Sequence, residues 1–168
     1  MALPEASGDP IGDTAQYLTK WSSQAFTPTE TFTVSKVIPR LLKRGTPPSS
    51  GRFRIKLADG NHEPTGEELT FGLYDPTELT EDADGEWKEI TVVPIQLASG
   101  IEYCLESSGQ GTGYWDGVGW VEMLGDPLGA NTEKYTDDGG ATWQTFPGTN
   151  AQLKMEATAG VKVQGYIL

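Results

Sequence analysis

Histidine and cysteine are nearly missing from this chain of 168 residues, where His62 and Cys104 are the sole examples. A single cysteine excludes an internal disulfide and a cysteine-rich zinc site, and Cys104 is expected to be a packed small residue. His62 lies in the turn-rich stretch Asp59-Gly60-Asn61-His62-Glu63-Pro64, which places it at the surface and leaves acid–base chemistry without an imidazole. Long apolar runs are also lacking, and none approaches the ~20 residues of a membrane span. The first residues, Met1 to Glu5, have neither the basic nor the apolar region of a signal peptide. The expectation is a soluble chain with no membrane partner and no export signal. Sustained helical periodicity, a nucleophile elbow, a phosphate-cradling glycine loop and a zinc ligand set are absent too, so no enzyme is expected.

What the chain has in quantity is punctuation: 21 glycines and 11 prolines favour many turns between short strands. Residues 1–20, with Gly8-Asp9-Pro10 and Gly12-Asp13, show no strand or helix period and read as an extended arm. From Trp21 the pattern changes. Ser23 to Phe26 and Thr31 to Leu42 read as the first two strands, with Pro28 and Pro39 suggesting an edge position or a bulge. Phe53, Ile55 and Leu57 then oppose Arg52, Arg54 and Lys56, so one side of that strand meets a core and the other is charged. Leu69, Phe71 and Leu73 share one face, as do Ile90 and Val92, then Ile101, Tyr103 and Leu105, and finally Leu153, Met155 and Ala157. Each strand is expected to keep one wet face. Turns are expected at Ala58 to Asn61 and Ala98-Ser99-Gly100, a helical turn near Pro76 to Leu79, and a hairpin at Asp138-Gly139-Gly140. Eight or so one-sided strands predict an all-β, two-sheet antiparallel β-sandwich of residues 21–158, either a jelly roll or a Greek-key sandwich of immunoglobulin type. Beyond it, residues 159–168 read as an extra C-terminal strand or docking arm, apolar enough to need cover.

Charge is unevenly spread. The net charge of −12 divides into +4 over residues 1–56 and −16 over residues 57–168. An acidic body argues against nucleic-acid binding, which needs a continuous basic surface. Lys36, Arg40, Lys43, Arg44, Arg52, Arg54 and Lys56 form the basic exception. They read either as a solvated sheet face or as a docking patch for an acidic neighbour, including another copy of the chain.

Two further groups carry possible chemistry. In Gly113-Tyr114-Trp115-Asp116-Gly117-Val118-Gly119-Trp120, the rings of Tyr114, Trp115 and Trp120 beside Asp116 suit stacking on a sugar face with hydrogen bonds to its hydroxyls. The same rings equally suit a sandwich cap or a subunit interface. Trp87 and Trp143 sit in strand patterns and are expected in the core. Asp137 and Asp138 are candidate oxygen ligands for a structural Ca2+, as are Asp75, Glu78, Glu81, Asp82 and Asp84, although no EF-hand spacing occurs.

The order of motifs resembles a known group of domains. Gln24-Ala25-Phe26, Thr31 to Val37, Gly51 to Leu57, Trp87 to Val93, Leu97 to Leu105 and Asp138 to Trp143 follow one another as in the carbohydrate-binding-like jelly-roll domain of bacterial surface proteins, including "choice-of-anchor" proteins, and of phage virion proteins. That resemblance covers about residues 21–158. It implies a jelly roll, a non-catalytic role in attachment, display or particle assembly, and no cofactor beyond a structural Ca2+. The chain departs from the anchored bacterial examples in lacking a signal peptide and a sorting segment, which turns the expectation toward a phage structural protein, a capsid decoration or tail accessory subunit at the virion surface. Its expected partners are capsid or tail proteins of the same particle and further copies in a homo-oligomer, with a host-surface glycan as the alternative ligand. Val161, Val163, Tyr166 and Ile167 would join the basic residues in the interface.

Overall fold

A computed structural model describes residues 10–16, 20–108, 111–113, 116–124, 127–129 and 132–158. Among the described residues the chain forms fourteen strands: β1 (Pro10–Gln16), β2 (Trp21–Phe26), β3 (Phe32–Arg44), β4 (Gly51–Ala58), β5 (Pro64–Tyr74), β6 (Glu86–Trp87), β7 (Ile90–Leu97), β8 (Tyr103–Ser107), β9 (Gly111–Gly113), β10 (Asp116–Leu124), β11 (Glu133–Thr136), β12 (Gln144–Thr145), β13 (Thr149–Ala151) and β14 (Leu153–Ala157). No α-helix occurs among the described residues. A 3-10 turn, Pro76–Glu78, stands where a helical turn is expected, capped by Asp75, whose carboxylate accepts from the Thr77 amide.

The strands form one eight-stranded and one six-stranded sheet, with every pairing antiparallel. In the first, β1, β10, β3 and β7 lie side by side; in the second, β2, β8, β4 and β5 do. The chain passes from one sheet to the other at most connections, and this pair of four-strand orders is a jelly roll, two Greek keys rolled against each other. The β11–β12 hairpin then extends the second sheet beside β2, and β13 and β14 return to the first.

Several elements differ from the sequence reading. Residues 10–16, assigned to the arm, are the strand β1, paired with β10 from Pro10 opposite Met123 to Gln16 opposite Val118. The ladder along β10 organises a stretch whose own side chains have no apolar alternation, so tertiary pairing supplies what local pattern does not. Pro39 is in the central strand β3 and not at an edge. It is tolerated there because it lies in the gap between the β6 and β7 pairings, where its carbonyl accepts from Lys88. Residues 159–168, the expected extra strand, lie outside the described residues.

Between the sheets lies one apolar core containing Phe26, Phe32, Leu41, Phe53, Ile55, Leu105, Trp120 and Leu153. Phe53 meets Trp120 edge to face, with ring centroids 5.0 Å apart. A buried polar strap ties the sheets at one end. The Gln24 side chain donates to Thr132 Oγ1 at 2.8 Å and accepts from the Ala151 amide at 2.8 Å, while Asn150 Nδ2 donates to the same Thr132 oxygen. Such groups are tolerated in a core because each finds a partner.

Candidate interaction surface

The hairpin of β4 and β5 presents the most unusual surface. Alternation alone leaves the phase of β5 open, since it carries apolar residues on both faces. Contacts across the sandwich edge decide it. Gly72 turns inward against the Thr91 carbonyl of β7 and the Ile90 side chain, so closely that even a Cβ would overlap them. Thr70 Oγ1 donates to the Val93 carbonyl at 2.8 Å, and Tyr74 is buried with its ring 5.8 Å from that of Phe53. Leu69, Phe71 and Leu73 therefore face out, with Leu73 59% exposed, which corrects the expectation that this face meets the core. Val93, also exposed, lies across the edge from Thr70. Leu57, expected inward with Phe53 and Ile55, is exposed as well, because the β4–β5 register shifts between Ile55 and Leu57.

Around this apolar row the charges are mutually engaged. Arg52 donates to both oxygens of Glu68 at 2.7 and 2.6 Å and lies 4.3 Å from the centre of the Phe71 ring. Arg54 pairs with Glu106, a carboxylate almost wholly buried, and covers the Trp21 ring at 4.9 Å. The outer face of β8 is thus not wet as expected: Glu106 and Cys104 are both buried. Cys104 packs as a small residue with its thiol 3.6 Å from the His62 carbonyl, and burial pushes that thiol up to about 12. His62 is half-exposed in the β4–β5 turn and bonds through Nδ1 to Glu102 at 2.7 Å.

The seven basic residues do not form one patch. Lys36, Arg40, Lys43 and Arg44 belong to β3 in the first sheet, whereas Arg52, Arg54 and Lys56 belong to β4 in the second. Lys36 bonds Glu89 and Glu156 at 2.9 and 3.3 Å, and those bonds, Glu89 first, raise its pKa. Arg40 bonds Gln152, and Lys43 donates to the Thr77 carbonyl. Trp87 is not a core residue; it sits half-buried beside Arg40 and Lys154, whose cations lie 5.8 and 4.2 Å from its ring centre. Trp143 is likewise half-buried, outside any strand.

Of the aromatic group, Trp120 and Asp116 fall among the described residues. Trp120 lies in the core with no exposed surface, and its Nε1 donates to the Gln152 carbonyl at 2.8 Å, so it cannot stack on a sugar. The reason is that residues 116–124 form β10, a central strand of the first sheet, and not a loop. Asp116 accepts from the Thr46 amide at 3.0 Å. Tyr114, Trp115, Val161, Val163, Tyr166 and Ile167 lie outside the described residues.

Asp137 and Asp138 serve their own loop. Asp137 pairs with Lys20 at 3.4 Å, while Asp138 accepts from Thr136, Ala141 and both donors of Thr142. The Thr136 hydroxyl is the largest cause holding the Asp138 carboxyl down to about 2. Among the described residues no three His, Cys, Asp or Glu side chains converge as a metal site.

Sequence reasoning placed the β5 row in the core and overlooked the Arg54–Glu106–Trp21 group. The signal available for the row was its inward alternate, Thr70-Gly72-Tyr74, where an aromatic and a close-packing glycine can also make a core face. No protein-family model and no curated protein matches the chain. What stands established is an all-β sandwich of two antiparallel sheets.

Proposed function

We propose that this chain is a non-enzymatic structural subunit of a phage particle, a capsid decoration or tail accessory protein that docks on neighbouring subunits. The observation that carries this reading is the outward row Leu69, Phe71 and Leu73, since adjacent exposed apolar side chains are characteristic of protein contact sites. The jelly roll and the motif order along residues 21–158 support it, because both resemble domains used for attachment and assembly. Docking through the basic side chains of β3 and β4 is the weaker part of the reading, as those cations are split between two sheets and largely engaged. A sugar-binding role loses Trp120 from its aromatic platform and is not favoured.

The arm contribution narrows to residues 1–9, since residues 10–16 belong to β1. The test is mass spectrometry of purified particles carrying either the full chain or one lacking residues 1–9. The full chain should be a stoichiometric component and the shortened chain should lose its place. Normal occupancy of the shortened chain removes the arm from the mechanism, and absence of the full chain from particles ends the reading.

A further inference from the structure

Four aspartates in this chain precede glycine, at Asp59-Gly60, Asp84-Gly85, Asp116-Gly117 and Asp138-Gly139. Such a pair can rearrange covalently, because glycine has no side chain to hinder attack of its amide nitrogen on the preceding carboxyl. The fold treats the four unequally. We infer that Asp84-Gly85 is the site at which the folded protein forms isoaspartate, a covalent modification that lengthens the main chain next to β6 and does not rest on the assembly reading.

Three of the four carboxylates are held. Asp59 accepts from the amides of Asn61 and Glu63 at 2.8 and 3.0 Å, and those bonds, Glu63 first, keep its carboxyl below the ordinary value. Asp138 accepts from the Thr136 and Thr142 hydroxyls and the Ala141 and Thr142 amides, which hold its carboxyl down to about 2. A carboxyl must be protonated to leave as water, so these two are protected by position and by charge. Asp116 accepts from the Thr46 amide at 3.0 Å, and Gly117 is buried in β10, paired with Arg44 on one side and Gly111 on the other. Asp84 differs. It is exposed in the turn 82–85, where its amide donates to Asp82 Oδ1 at 3.0 Å and its carboxylate makes no bond or ion pair with the described residues.

The Gly85 amide donates to the Asp82 carbonyl at 2.9 Å, and that turn bond has to open for the nitrogen to reach Asp84 Cγ. The nitrogen then attacks Cγ, its proton departs with the carboxyl oxygen as one water, and a cyclic imide remains. Water opens the imide at either carbonyl. Opening at the side-chain carbonyl restores aspartate, whereas opening at the main-chain carbonyl leaves Gly85 attached through the Asp84 side chain. The product has the mass of the parent and one more methylene in its backbone. Gly85 has no room to absorb it: even a Cβ there would lie 2.6 Å from Val121 Cγ2 and 2.9 Å from the Leu41 carbonyl oxygen. The displacement passes to β6, where Glu86 and Trp87 pair with Leu41 and Arg40 and the Trp87 ring lies beside the Arg40 and Lys154 cations.

The test is incubation of the full folded chain at neutral pH and physiological temperature, followed by digestion and electron-transfer fragmentation, which distinguishes isoaspartate from aspartate at each of the four positions. Asp84 should isomerise at least tenfold faster than Asp59, Asp116 or Asp138. In a chain unfolded by urea the four rates should converge to within threefold, since folded contacts are what separate them. Asp84→Glu should abolish the product at that position, and because the Asp84 carboxylate is exposed and unbonded, the fresh variant should melt like the parent. The aged parent should melt at a lower temperature than the aged variant. Equal rates at two of the four positions in the folded chain, or an Asp84 that reacts in urea and not when folded, overturns the inference. Isoaspartate at residue 84 with no fall in melting temperature overturns its effect on β6 and leaves the site standing.

Discussion

Asp138 holds the 137–142 loop together by accepting from two backbone amides and two hydroxyls, leaving Gly139 and Gly140 to take the positive φ angles of 71° and 91° that close the turn. These bonds favour the carboxylate, so the folded pKa of about 2 lies below the ordinary 3.8. For a depressed acid the stabilisation is complete above the unfolded value and disappears as pH falls through the folded one. Asp138→Ala should therefore lower the melting temperature by a few degrees at neutral pH, and the difference from the parent should close between about pH 4 and pH 2. Thermal melts followed by circular dichroism across that range check it; a difference independent of pH would place the effect elsewhere. The hairpin itself was legible in Asp138-Gly139-Gly140, because glycine at positive φ is a local requirement. Asp138 as the loop's clasp was not, since its donors come from residues that only the folded loop brings together.

Strands show where local pattern suffices and where it fails. The alternation of β4, β7 and β14 correctly gives Phe53, Ile55, Ile90, Val92, Leu153 and Met155 as buried, because only one face of each strand is apolar at those positions. In β5 both faces have apolar members, and the choice between them is made by a neighbour distant in sequence. Gly72 is the pivot of that choice. A methyl group there would come within 2.6 Å of Ile90 Cγ2 and would also overlap the Thr91 carbonyl, so the two sheet edges would have to separate. Gly72→Ala should cost about 1–3 kcal/mol of stability, the range for an overpacked core site. Urea denaturation measures it, and a neutral result would mean that the β5–β7 contact yields without cost. β1 and β10 failed differently: their pairing with each other and with β3 makes them strands, although residues 10–16 lack alternation and residues 113–120 are rich in glycine.

On the scale of the whole molecule, two modes of association make opposite predictions about salt. Docking of basic residues on an acidic neighbour weakens as ions screen the attraction. Docking through the apolar row of β5 draws on no such attraction and holds as ions are added. Retention of the full chain on purified particles should therefore be unchanged when ionic strength rises from ~0.05 M to ~0.5 M, over which the Debye length falls from roughly 14 Å to 4 Å. Release over that range, measured by sedimenting the particles and quantifying the chain left with them, would return the interface to the cations of β3 and β4. Composition and alternation by themselves determined the class of this protein: all-β, with turns at glycine and proline, a two-sheet core and an acidic body. Those properties depend on residues adjacent in sequence. Which face of β5 is buried, where Trp120 lies, and how the basic residues divide between two sheets were decided only by tertiary structure. Each depends on a contact between segments far apart in the chain, and a periodic pattern carries no information about which distant strand will stand opposite.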